Sequence, residues 1–175
     1  MSTDLQRTVR RPLSVCARTY RVRMDHSDIS DADVADLVQR VEDAAVAYIR
    51  GDLETYIHLI SHTEDYTLMP PFGGDTRHGF DGSPDAIART RSFFAGGEAT
   101  VELEQSYVSE DLAVLVVVER QHGEVGGLPD QDWSLRVTLV FRRTGSGWKL
   151  AHRHPDPLVH PITFESAAQL ARGEP

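Results

Sequence analysis

The eight residues from Leu112 to Glu119 read L-A-V-L-V-V-V-E and are apolar at both parities. Successive side chains of a strand point to opposite faces, so such a strand needs cover on both sides and belongs in the middle of a sheet. The flanking segments supply that sheet. Before it, Val101, Leu103, Gln105 and Tyr107 alternate with Glu102, Glu104 and Ser106, and Ser109-Glu110-Asp111 reads as the turn. After it, residues 121–131 read as a Gly/Pro-rich loop. A long strand follows, with Trp133, Leu135, Val137, Leu139 and Phe141 on one face and Ser134, Arg136, Thr138 and Val140 on the other. The last strand starts after Thr144-Gly145-Ser146-Gly147 and runs to Pro155. Strict alternation there puts Trp148, Leu150, His152 and His154 on one face and Lys149, Ala151 and Arg153 on the other.

Helices precede the sheet. Ser30 is a good N-cap, with Asp31 and Asp33 suited to the positive end of the helix dipole. Val34, Leu37, Val38, Val41, Ala45 and Tyr48 form a helical stripe that ends at Gly51. Asp52 caps a second, short helix through Leu53, Tyr56, Ile57 and Ile60. Residues 64–69 read as a short strand, and the long Pro/Gly loop after it is expected to form a pocket rim. Ser83-Pro84 opens a third helix, expected to run through Phe94 to Gly96-Gly97, and a weak helix is expected near 164–171. Helices followed by an antiparallel meander make an α+β domain, with the helices on one face of a curved sheet. The expected division is a basic arm at 1–29, the domain at 30–160 and a tail at 161–175.

Composition narrows the partners. Residues 1–23 hold six arginines and one acid, so the arm carries +5 while the whole chain carries −9. An acidic body argues against nucleic acid, which needs a basic face. No apolar run reaches the length of a membrane span, so no membrane partner is expected. The single Cys16 excludes an internal disulfide and fits a reducing, cytoplasmic setting. The arm reads as a tail or, from Leu13 to Met24, as an added edge strand; Met24 also reads as an alternative start.

His152 and His154 are candidate acid/base groups, since imidazole titrates near neutrality, and equally candidate satisfied histidines at the sheet end or a subunit interface. An H-x-H strand is also a metal-ligand spacing, but no acid and further histidine follow in the pattern such sites need, so no metal is expected. Arg136, Arg153 and Arg120 either floor a cavity for an anionic ligand, or lie exposed to solvent or pair with Glu102, Glu104 and Glu119. Tyr48, Tyr66, Met69, Phe72 and Trp133 are candidate lining residues of an apolar pocket. No phosphate-binding glycine loop and no nucleophile elbow occurs, so no nucleotide cofactor, indeed no cofactor, is expected.

Four features along residues 31–157 carry a resemblance: the helix ending in Gly51-Asp52-Leu53, the Tyr66-Thr67-Leu68-Met69-Pro70-Pro71 segment, Gly79 to Ala86, and Trp148-Lys149-Leu150-Ala151-His152-Arg153-His154. In this order they resemble the NTF2-like superfamily, specifically its SnoaL-like and ketosteroid-isomerase-like branch. They are also similar to the calmodulin-dependent kinase association domain. The resemblance implies a cone: a curved antiparallel sheet with helices packed on its concave face, enclosing a pocket, and a homodimer through the outer sheet face. Ketosteroid isomerases use a carboxylate base with phenol and acid donors. Tyr48, Tyr56 and Tyr66 are available as phenols here, and no Asp stands in a pattern that marks the base.

Two functions fit. One is a cofactor-free isomerase, cyclase or dehydratase acting by proton transfer on a small apolar or anionic carbonyl or carboxylate compound. The other is a non-catalytic dimeric ligand-binding or association domain. A dimer is expected on a second ground, that the apolar face running from Trp133 to Phe141 needs cover. Residues 1–23 have no helical stripe and few large apolar groups, so a chain beginning at Met24 should keep its solubility and melting temperature; a much lower melting point would make the arm a structural strand.

Overall fold

A computed structural model describes residues 29–174. The first helix, α1 (Asp31–Ile49), opens on a reciprocal cap. The Ser30 hydroxyl accepts from the Asp33 amide at 3.2 Å, and the Asp33 carboxylate accepts from the Ser30 amide at 2.9 Å. Gly51 then turns the chain at φ +74°, where a Cβ would lie 2.5 Å from the Phe94 carbonyl oxygen. Asp52 caps α2 (Leu53–Leu59), accepting from the Thr55 amide at 2.9 Å. After β1 (His62–Leu68), the long loop is pinned by a two-residue strand, β2 (Arg77–His78), and leads into α3 (Pro84–Phe93) with Ser83 as cap. The remaining strands are β3 (Phe94–Val108), β4 (Leu112–Val125), β5 (Leu128–Asp132), β6 (Leu135–Thr144) and β7 (Gly147–Pro157), followed by α4 (Phe164–Ala171).

The sheet order is β2-β1-β7-β6-β4-β3, with β5 paired to β4. All pairs are antiparallel except β1 with β7, where the chain returns from the last strand to lie beside the first. The expected α+β cone is present, an unclosed curved sheet with α1 packed into its concave face. Leu37, Val41 and Ala44 of α1 meet Leu115 and Val117 of β4, Leu135, Val137, Leu139 and Phe141 of β6, and Leu150 of β7. Among the described residues no helix is long and apolar enough to cross a membrane. The basic arm, including the segment from Leu13 to Met24, lies outside the described residues.

Several expectations are corrected. The apolar row of β6, expected to need a second copy, is covered within the chain by α1. Helix α3 stops at Phe93, and Gly96 and Gly97 belong to β3. Residues 121–131 form a hairpin, with β4 continuing to Val125 and turning through Gly126 and Gly127 at φ +62° and +80°. Glycine reaches that mirror-image turn without strain, and its twist matches the strands. Strand β7 runs past Pro155 to Pro157. Pairing to β1 ends at Arg153, so on that side the missing proline N–H has no partner to disappoint.

Strict alternation fails at two bulges. In β7, Leu150 pairs with Phe141 and His152 pairs with Val140, leaving Ala151 as the extra residue. Trp148 and Leu150 therefore share the inner face with Arg153 and Pro155, while His152 and His154 face outward beside Val140 and Thr138. In β3 the register slips at Glu104, so Leu103 opposes the inner Val117 whereas Gln105 and Tyr107 oppose the outer Val116 and Val114.

Candidate functional site

The concave face, α1, α2, α3 and the long loop enclose a cavity of about 1210 Å³. Its deep polar feature is one ion pair. Glu119 is the single acid at the end of the apolar strand, 1% exposed, and the bulge at Ala151 turns Arg153 towards it across β6. The two terminal guanidinium nitrogens donate to the two carboxylate oxygens at 2.6 Å each. Such a bidentate fork is the strongest form of this contact. Burial works against the Arg153 charge, but the Glu119 carboxylate more than reverses that effect, so the guanidinium pKa is raised.

Three phenols surround this pair. Tyr48 comes from the end of α1, Tyr56 from α2 and Tyr66 from β1. Tyr48 and Tyr56 meet edge to face with ring centres 5.4 Å apart. Desolvation raises the pKa of each phenol, pushing Tyr66 to about 12, and Arg153 only partly offsets it. At neutral pH all three are protonated donors. Behind Tyr56, the Nε2 of His62 lies 3.2 Å from the phenol oxygen, with the donor set by the imidazole tautomer. The His62 ring stacks on Phe80 at 3.8 Å and 7°. Burial lowers the His62 pKa to about 4, and the nearby Arg153 charge adds to this, so the imidazole is neutral.

The rim is different in character. Phe72 and Trp133 meet edge to face at 5.9 Å, and the Trp133 Nε1 donates to the Gly123 carbonyl at 3.0 Å. Arg89 pairs with Asp81 at 3.0 Å. Arg77 stands opposite Leu68 in the β1–β2 pair, and both line the cavity.

Of the residues expected at a site, Tyr48, Tyr66, Phe72, Trp133 and Arg153 line this cavity; Met69, Arg136, His152 and His154 do not. Met69 is 41% exposed, one residue beyond the lining Leu68. On the outer face Arg136 donates to Asp156 at 2.7 Å, and Arg120 pairs with Glu102 at 3.1 Å. His152 bonds through Nδ1 to the Thr67 hydroxyl at 2.8 Å, and His154 is exposed. Sequence reasoning offered Glu119 only as a possible partner of an arginine, and missed His62, Phe80 and Arg77 as members of the site. Only Glu119 carried a signal, being the one charge in a strand that is otherwise apolar on both faces. Among the described residues no three metal-ligating side chains cluster.

Comparison with known proteins agrees with this architecture. The model of the SnoaL-like domain matches residues 37–156. No curated protein sequence matches. Among solved structures, the chain is similar to an NTF2-like protein from Streptomyces avermitilis suggested to be a dehydratase, at 24% identity and a TM-score of 0.57, covering 74% of this chain and 99% of that one. A suggested scytalone dehydratase from Novosphingobium aromaticivorans matches at 14% identity and a TM-score of 0.60, covering 75% and 90%. A suggested calcium/calmodulin-dependent protein kinase type II association domain from Thiobacillus denitrificans matches at 18% identity and a TM-score of 0.51, covering 69% and 93%. At these identities the likeness shows the fold.

The buried imidazole has a thermodynamic consequence. An unfolded histidine titrates near ~6.5, so as pH falls from there towards 4 the unfolded chain binds a proton that folded His62 refuses. Stability should fall through that window by on the order of 2–3 kcal/mol and then stop responding to this group. Urea unfolding midpoints at a series of pH values should show a shallower loss for His62→Gln; equal slopes would mean that His62 does not stay neutral.

Proposed function

The chain belongs to the SnoaL-like domain family, and on that premise we propose a cofactor-independent enzyme that moves a proton on a carbonyl compound held in the cavity, as an isomerase, cyclase or dehydratase does. The observation that carries this reading is a large cavity whose base combines protonated phenols with a buried carboxylate. Proton removal beside a carbonyl sends the electron pair to the carbonyl oxygen, and fixed donors that meet the developing charge lower the barrier. Tyr56 and Tyr66 are such donors, with Tyr56 backed by His62. Glu119 is the proton acceptor in this scheme. Two of its roughly four lone-pair directions are taken by Arg153, and the rest remain for a C–H proton. His152 and His154 take no part, since they stand on the other face of the sheet.

The alternative, a ligand-binding domain without turnover, is favoured by the same ion pair. Both oxygens of Glu119 are already held, and none of the three phenols is ionised to serve as a base.

Within this reading the protein is a homodimer, with the outer sheet face as the contact. Val114, Val116, Thr138 and Val140 lie in adjacent register positions there, each half-buried, beside an exposed Tyr107. A sheet face of that composition suits a second copy better than water.

Two measurements test the proposal. In heavy water the protein should accelerate deuterium uptake beside the carbonyl of 2-tetralone, and Tyr56→Phe should slow it by about 100-fold, the usual cost of one oxyanion donor. Saturable binding of the ketone with no acceleration would decide for the binding domain. Light scattering at micromolar concentration should give twice the chain mass, and a monomer would remove the dimer from the proposal.

A further inference from the structure

The cavity treats charge differently at its base and at its mouth. Three arginines and two carboxylates line it, which leaves one positive charge on a chain whose total is −9. Arg153 is spent on Glu119, and Arg89 faces Asp81. Arg77 alone among the lining cations has no acidic partner within the described residues.

Its position is built, not incidental. The loop that carries it is long and glycine-rich, but Leu68 pairs with Arg77 and Thr67 with His78, and the Gly79 amide donates to the Tyr66 carbonyl at 2.8 Å. Residues directly opposite in an antiparallel pair share a face, so Leu68 and Arg77 project together onto the cavity wall. Arg77 is also near enough for its charge to act on the phenols of Tyr48 and Tyr66. The aromatic pair of Phe72 and Trp133 belongs to the same rim, and both rings line the cavity.

An anion at the base would meet a guanidinium already neutralised and, beside it, the Glu119 carboxylate. An anion at the mouth would meet the guanidinium of Arg77, which is exposed and has no acidic partner among the described residues. We propose that Arg77 anchors an anionic group on the ligand, so that the cavity takes a flat aromatic compound with its uncharged carbonyl end inward and a carboxylate or similar anion at the rim. This rests on the small-molecule reading of the cavity and adds to it the polarity of the ligand and the residue that selects it.

The test uses a matched pair of fluorescent probes, 8-anilinonaphthalene-1-sulfonate and its uncharged parent N-phenyl-1-naphthylamine. Both should bind the full chain. Arg77→Gln should weaken the sulfonate by roughly five- to tenfold, leave the uncharged probe within about twofold, and abolish the salt dependence of sulfonate binding. Arg77→Lys should restore part of the sulfonate affinity. If the uncharged probe binds and Arg77→Gln leaves the ratio of the two affinities unchanged, the anchor is refuted while the cavity reading stands. Equal weakening of both probes would also refute it, since Arg77 would then only shape the rim. Failure of both probes to bind the unaltered chain would remove the cavity reading and the anchor together.

Discussion

The paired charges of Glu119 and Arg153 set the terms for everything around them. Two ions taken out of water cost several kcal/mol each, roughly, and attraction repays that only with near-ideal geometry. Here the geometry is bidentate and short, and the carboxylate is almost fully enclosed. Such a pair cannot lose one member cheaply, because the other is then left charged and alone. It also cannot be moved by one residue in either strand. The base of the cavity is therefore a rigid, dipolar surface, around which the phenols of Tyr48, Tyr56 and Tyr66 are arranged as neutral donors.

That pair exists because of a single extra residue. Regular alternation in β7 would put Arg153 on the face opposite Leu150, outside the cavity. The bulge at Ala151 resets the phase, so that Leu150 in the core and Arg153 in the cavity lie on the same side. The same shift sends His152 and His154 outward. The bulge thus decides which groups of β7 face the cavity: a guanidinium beside a carboxylate and phenols, and not two imidazoles.

The cavity is graded from base to mouth. Its floor is polar but electrically balanced, its walls are largely aromatic and aliphatic, and its rim holds Arg77, which has no acidic partner among the described residues. His62 contributes from behind the wall. Stacked on Phe80 and kept neutral by burial, it gives Tyr56 a hydrogen-bonding partner without adding charge to the floor. On the proposed reading, balance inside and charge at the entrance suit a ligand that is neutral at one end and ionic at the other.

Much of the architecture was legible before any coordinates. Ser30 and Asp52 mark their helices because their side chains answer local amide needs, and Leu112 to Glu119 had to be central because both faces are apolar. Four of the expected lining residues line the cavity for a similar reason: Tyr48, Tyr66, Phe72 and Trp133 are large apolar-faced groups placed by helix, strand and loop patterns. What stayed hidden depends on register. A bulge leaves no mark in composition, so the faces of His152, Arg153 and His154, and of Gln105 and Tyr107, followed only from which residues pair across the sheet. Pairing of an arginine with Glu119 was one of the open readings; that the partner is Arg153, 34 residues away and across an intervening strand, was not decided by the sequence. The elements, and the sheet they must form, can be read along the chain, because they rest on local propensity and periodicity. Which side chains meet inside that sheet emerges only on folding, because it rests on strand phase and on contacts between residues distant along the chain.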